Sequence, residues 1–167
     1  MDPPFGFGRR DAVRIMALGD RDERYLTHRE VDEALARFPS DAGAQWTATD
    51  SGADFTLADG VWLLPGSPYR DEAAARAAIR HCLATGTPFL GTCAGFQYAC
   101  VELARSLAGI AGAAHAESQP DGEELVVTPL ACSLYGEIRP VQTVPGTRLA
   151  AICGSAPFEG YHYCGYG

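Results

Sequence analysis

Apolar residues fall along this chain in two alternating rhythms, short unbroken runs and helical stripes. The run Ala-Val-Arg-Ile-Met-Ala-Leu-Gly at 12–19 predicts a buried first strand that ends at Gly19. Thr27 and Glu30 have the spacing of a capping box, and Val31, Ala34, Leu35 and Phe38 follow as a helical stripe. The polar start of that helix, His28-Arg29-Glu30, reads as surface. Gln45–Thr49 predicts a second strand, and Val61-Trp62-Leu63-Leu64, stopped by Pro65-Gly66, a strand covered on both faces. Asp71-Glu72 open an Ala-rich helix to about Thr85, with acids where the helix dipole favours them. Thr87–Gly91 is the next strand, and Gly95–Ala104 a helix with so little polar surface that it must be buried. Apolar strands alternating with helices make an α/β fold, an open and mostly parallel sheet flanked by helices.

The rhythm changes past about residue 110. Glu123–Leu130, Leu134–Val141 and Arg148–Cys153 are strand-like pieces between Pro and Gly, and they predict a small antiparallel extension. Phe158–Gly167 is aromatic and Gly-rich and brings no helix to close the sheet. The resulting division is an N-terminal tail over 1–11 and one domain over 12–167.

Composition narrows the chemistry. All 13 basic residues are Arg, and the chain has neither Lys nor Asn. A Schiff-base lysine, a phosphate-binding Gly-Lys-Ser/Thr loop and a Cys-His-Asn triad are therefore excluded. A net charge of −8 argues against a nucleic-acid surface, which needs clustered cations. No stretch reaches the roughly 20 apolar residues of a membrane span, and the first residues lack the apolar run of an export signal. The six cysteines (82, 93, 100, 132, 153, 164) show no zinc-ligand spacing, so no metal is expected. They read as reduced thiols of a cytoplasmic protein, most of them small core residues.

The segment richest in chemistry is Pro88-Phe-Leu-Gly-Thr-Cys93-Ala-Gly-Phe-Gln97. A nucleophile on a tight strand-to-helix turn needs small flanking residues, which Gly91 and Gly95 supply. It benefits from a helix N-terminus, where negative charge is favoured, and from the N–H of the next residue, Ala94, aimed at a developing oxyanion. A second N–H must come from another loop at the same sheet edge, and the Pro65-Gly66-Ser67 turn after the preceding strand is in the right place.

Val61–Ser67 followed by Gly86–Cys100 resembles the class I glutamine amidotransferases, above all the C-terminal glutaminase domain of CTP synthase and its stand-alone C-terminal-region-related relatives. The resemblance runs from about Ala12 to the end of the chain and is strongest over 57–118. It implies a flavodoxin-like sheet and Cys93 as the nucleophile that releases ammonia from the side chain of L-glutamine. The amides of Ala94 and the Gly66-Ser67 turn would be the oxyanion hole, with Gln97 and Glu117 holding the substrate. No cofactor is implied, and the ammonia would pass to a partner synthetase. The family pairs its thiolate with a His-x-Glu that falls beyond the segment at which this chain ends, so one element is expected to be lacking. The candidates for the base within the chain are His162, in Tyr-His-Tyr-Cys, and His115, in Ala-His-Ala-Glu. His81 is better explained by the helix C-terminus it occupies. Two departures stand out. Tyr161-His162-Tyr163-Cys164 replaces a basic run that holds the substrate carboxylate, and Pro68 removes an N–H from the oxyanion turn. Two alternatives stay open: another cysteine-dependent enzyme on this fold (hydrolase, isomerase or thiol-redox protein), or an inactive binding domain that keeps the elbow for packing. A sheet edge left uncovered would offer a surface for homo-oligomer pairing.

Overall fold

The computed structural model describes residues 13–39 and 42–167, which form two compact units divided after Val127. The tail expected over 1–11 lies outside the described residues.

The first unit is built on four parallel strands: β1 (Val13–Leu18), β2 (Ala42–Thr47), β3 (Gly60–Leu63) and β4 (Phe89–Gly91), ordered β2-β1-β3-β4. Their pairings are all parallel, with Ile15 opposite both Ala44 and Gly60 in the centre and Val61 opposite Phe89 at the edge. α1 (Leu26–Leu35) connects β1 to β2, and α2 (Glu72–Thr85) connects β3 to β4. This is the flavodoxin-like order the resemblance implies. Strand order reverses between β1 and β3, so the loops after β1, β3 and β4 share one edge, where such sheets take their ligands.

The two faces of β3 show why its sequence is an unbroken apolar run. Val61 and Leu63 pack with Ala75, Ala78, Ile79 and Tyr98 of the helices on one face. Leu64 packs with Ala17 and Val31 on the other, with Trp46 and Trp62 against them. Two covered faces leave no position for a polar residue. α2 begins and ends as its sequence suggests. Asp71 accepts from Ala74 N at 2.8 Å, and Gly86 closes the helix at φ 73°. α3 (Ala94–Ser106) buries Ala94, Gln97, Tyr98, Val101 and Glu102, while Phe96 and Leu103 are exposed, so its burial is one-sided rather than complete.

Several local expectations are corrected. The capping box at Thr27 does not form: α1 starts after Tyr25 with no side-chain cap. His28 is buried, not at the surface, because its ring lies between Tyr25 and Trp46. The piece from Glu123 contributes β6 (Glu124–Val127), which pairs in parallel with β5 (Ala113–His115), a strand too short to show a pattern in sequence. Arg148–Cys153 is a helix, α4, not a strand. Thr147 caps it by accepting from Ala150 N, and a run of only five apolar residues fits either period. Most cysteines are not core residues: Cys82 is buried, Cys93, Cys132 and Cys153 are exposed, and Cys100 and Cys164 are intermediate.

The second unit, Thr128–Gly167, holds α4 and the antiparallel pair β7 (Glu137–Val141) and β8 (Phe158–His162), with Ile138 opposite Tyr161. The small antiparallel extension is therefore present as expected, at β7 and β8. Among the described residues no helix is long and apolar enough to cross a membrane.

Candidate active site

Cys93 sits between β4 and α3 at φ 51°, ψ −118°, the only non-glycine at positive φ among the described residues. This is a sparsely populated backbone state for a residue with a Cβ, and it persists only where the surroundings enforce it. Here the enforcement is visible. A Cβ on Gly95 would meet Leu63 O at 2.1 Å, and one on Gly91 would meet Gly95 O at 2.7 Å. Strand and helix thus approach as closely as glycine permits, and Thr92 N donates to Leu63 O at 3.1 Å to seal the turn. The result is an exposed thiol at the N-terminus of a 13-residue helix, where the dipole favours negative charge. Ala94 N is at the first helical position, one of the N–H groups a helix leaves without an internal acceptor.

The turn after β3 is pinned along its length. Tyr69 Oη donates to Leu64 O at 2.6 Å and closes the loop on itself. His28 Nε2 lies 3.0 Å from Pro65 O, and Gly66 takes φ 109°. The Ser67–Pro68 peptide is cis. Beyond it, Arg70 N donates to Asp20 Oδ2 at 2.7 Å, while Asp20 also accepts from Thr49 N and Thr49 Oγ1. One carboxylate at the end of β1 thereby fixes two neighbouring loops. Burial, with lesser contributions from Tyr98, Cys93 and Asp20, keeps the Tyr69 hydroxyl protonated far above the usual tyrosine range.

A hydrogen-bonded chain joins this turn to α3. Ser67 Oγ donates to Glu117 Oε2 at 2.6 Å, and Glu117 N donates to His115 Nδ1 at 3.0 Å. A ring nitrogen that accepts has no proton, so His115 carries its hydrogen on Nε2 and donates it to Gln97 Oε1 at 3.1 Å. Gln97 N in turn donates to Cys93 O at 3.1 Å. Burial lowers the His115 pKa, aided by the charge of Arg76 and opposed by Glu117 and Glu72, which holds the ring neutral. Below this chain, Glu102 is almost wholly buried against Arg76, Arg80 and Arg105. Burial alone would raise its pKa, but the bonds from Arg76 and Arg80 prevail and hold it low.

Of the expected site residues, Ser67, Gln97, His115 and Glu117 share one hydrogen-bond network that reaches the backbone of Cys93. Gly66 and Ala94 occupy the turn and the helix start. His162 lies on β8 in the second unit, its Nδ1 3.0 Å from Gly160 O. Sequence reasoning missed Asp20, His28 and Tyr69. Asp20 had a signal, since a lone acid directly after a buried strand stands at the ligand edge of such a sheet.

The model of the family described as glutamine amidotransferase class-I matches residues 23–144. The chain is 33% identical over 146 residues to a CTP synthase of Haloquadratum walsbyi, covering 83% of this chain and 25% of that protein. It is 34% identical over 154 residues to the CTP synthase of Methanopyrus kandleri, covering 84% and 28% respectively. With the CTP synthase of Encephalitozoon cuniculi the identity is 32% over 124 residues, 71% of this chain and 23% of the relative. The chain thus spans about a quarter of the length of these curated relatives. In fold it is similar to the glutaminase domain of Trypanosoma brucei CTPS with bound acivicin, at a TM-score of 0.70 and 18% identity, covering 92% of this chain and 67% of that one. The matched region takes in the Gly66-Ser67 turn, the Cys93 elbow, Gln97 and Glu117. By its sequence, this chain belongs to the class I glutamine amidotransferases and is related to the glutaminase domain of CTP synthase.

Proposed function

We propose that the chain hydrolyses the side-chain amide of L-glutamine and supplies the ammonia to a partner synthetase in the cytoplasm. Cys93, as thiolate, attacks the amide carbon, and the carbonyl electron pair moves to oxygen. The N–H groups of Ala94 and of the Gly66-Ser67 turn receive that oxyanion. Collapse breaks the C–N bond, the nitrogen takes a proton and leaves as ammonia, and a γ-glutamyl thioester remains. Water attacks the thioester, releasing glutamate and the thiol. Gln97 and Glu117 hold the amino-acid end of the substrate.

The observation that carries this reading is the strained backbone of Cys93, kept at φ 51° between two glycines that admit no Cβ. Of the two candidate bases, His115 has each ring nitrogen engaged and is kept neutral by burial, which suits it to positioning. The test is release of glutamate and ammonia from glutamine by the purified chain, alone and with its synthetase partner. The expected result is turnover that Cys93→Ala abolishes. Absence of turnover in both settings overturns the proposal.

A second reading is favoured by Tyr161-His162-Tyr163-Cys164, a segment with no Arg or Lys where the family has a basic run. In it, Cys93 acts on an amide or ester that is not an amino acid. Faster turnover of a simple primary amide than of glutamine would support it.

A further inference from the structure

His28 has no part in the chemistry described so far, yet it is the buried link between α1 and the turn after β3. Its Nδ1 accepts from Asp22 N at 2.9 Å, so the ring proton is on Nε2 and is donated to Pro65 O at 3.0 Å. Tyr25 and Trp46 flank the ring at 5.3 and 5.2 Å between centroids, and Trp46 is itself held by a bond from Nε1 to Gly19 O at 2.8 Å. The ring therefore has little freedom to turn.

The Pro65–Gly66 peptide is trans, so its C=O and N–H point in opposite directions. α1 packs on the sheet face that carries Ala17 and Leu64, whereas Ala94 and Tyr98 of α3 pack on the face that carries Val61 and Leu63. A Pro65 carbonyl tied to α1 thus commits the Gly66 N–H away from α1, toward the side on which α3 begins. Gly66, at φ 109° and without a Cβ, is the kind of residue across which a peptide can rotate. Nothing in its own stereochemistry selects one orientation.

We infer that His28 is a positioning residue: its Nε2–H holds the Pro65–Gly66 peptide in the orientation that presents the Gly66 N–H to the oxyanion. This rests on the reading of the Gly66-Ser67 turn as part of the oxyanion hole.

Two substitutions separate its two bonds. Glutamine places an amide N–H where Nε2 stands and restores the donor to Pro65. Asparagine places an oxygen where Nδ1 stands and restores only the acceptor for Asp22. Each variant is acylated with p-nitrophenyl acetate, which passes through an oxyanion as nitrophenolate leaves, and in parallel alkylated at Cys93 with iodoacetamide, which does not. The ratio of the two rates reports the oxyanion hole alone and requires no turnover of glutamine. His28→Gln is expected to keep the ratio within about 3-fold of the parent, and His28→Asn to lower it at least 10-fold. Equal ratios in the two variants, or a parent thiol that is not acylated, overturn the inference. If the expected ratios appear while the parent turns over no glutamine, the glutaminase reading fails and the role of His28 stands. Should either variant not fold, nitrogen-15 correlation spectra of the parent decide: a proton on Nδ1 of His28 instead of Nε2 overturns the inference, and a slowly exchanging proton on Nε2 supports it.

Discussion

Ser67 and Glu117, 50 residues apart in sequence, are joined by a 2.6 Å hydrogen bond from Oγ to Oε2, which ties the turn after β3 to the segment after β5. The contact couples two tasks. Ser67 belongs to the turn proposed to stabilise the oxyanion, and Glu117 is the carboxylate proposed to hold the amino group of glutamine. Through His115 the same chain reaches Gln97 on α3. The residues proposed for substrate grip and for the oxyanion turn therefore belong to one hydrogen-bond network.

Glu117→Gln keeps the shape of that side chain and removes its charge. A charge-assisted bond to the substrate ammonium is worth about 1.5 kcal/mol or more, so KM for glutamine is expected to rise roughly 10-fold. Because that bond is made in the ground state as well as the transition state, kcat should change much less. Steady-state kinetics read both numbers, and a loss confined to kcat would contradict the assignment.

The elbow predicts opposite signs for two neighbouring substitutions. Cys93→Gly relieves a strained φ of 51° on an exposed residue and should stabilise the fold by about 1 kcal/mol, after the entropy cost of glycine is subtracted. Gly95→Ala drives a methyl group to 2.1 Å from the carbonyl oxygen of Leu63 and should destabilise by about 3 kcal/mol. Urea unfolding midpoints measure both. A destabilised Cys93→Gly would mean that the conformation of Cys93 carries no strain.

The elbow and the sheet were legible because their signals are local. Gly91, Cys93 and Gly95 lie within five positions, and the run Val61–Leu64, which covers most of β3 and the residue after it, announces the two covered faces by four apolar residues in a row. What was missed depends on contacts made far along the chain. His28 stands in a polar stretch, and its burial is decided by Trp46 and by Pro65, 37 residues away. Arg148–Cys153 misled because six residues with apolar positions suit a strand as well as a helix, and the Thr147 cap decided the matter. The three-residue β5 leaves no period to read. The cysteines were expected inside on average behaviour, and four of them are on loops, turns or short-element ends where composition says nothing about burial.

Glu102 should prove the main electrostatic anchor of the first unit. Its carboxylate is 2% exposed and takes Arg76 at 3.0 Å, Arg80 at 3.0 Å and Arg105 at 3.2 Å. Glu102→Gln leaves the poorly hydrated guanidinium of Arg76 with only the more distant Glu72, at 3.6 Å, as counter-charge and is expected to cost up to about 3 kcal/mol in urea unfolding. Arg80, half exposed, can return to water, so Arg80→Ala should cost less than about 1 kcal/mol. Comparable losses in the two variants would show that the cluster is solvated.

His115 sets the pH dependence of stability just below neutrality. Burial holds its folded-state pKa below the ordinary value of 6.5, so the unfolded chain takes up a proton first as the pH falls. Stability from this residue is complete above pH 6.5 and declines below it until the folded-state pKa is reached, with a slope no steeper than about 1.4 kcal/mol per pH unit. The groups facing the ring do not reverse the sign: Arg76 lowers its pKa further, while Glu117 and Glu72 oppose the burial without overcoming it. The carboxylates whose pKa values are held low, Asp22, Asp54 and Glu102, start from ordinary values of 3.8, 3.8 and 4.5, so their losses begin at more acidic pH. Between pH 6.5 and 5, denaturation free energies should therefore fall in the parent and fall less in His115→Gln, which keeps a donor for Gln97 and cannot titrate. An equal fall in both proteins would assign the dependence to another group, and a rise in the parent would mean that His115 is charged in the folded state.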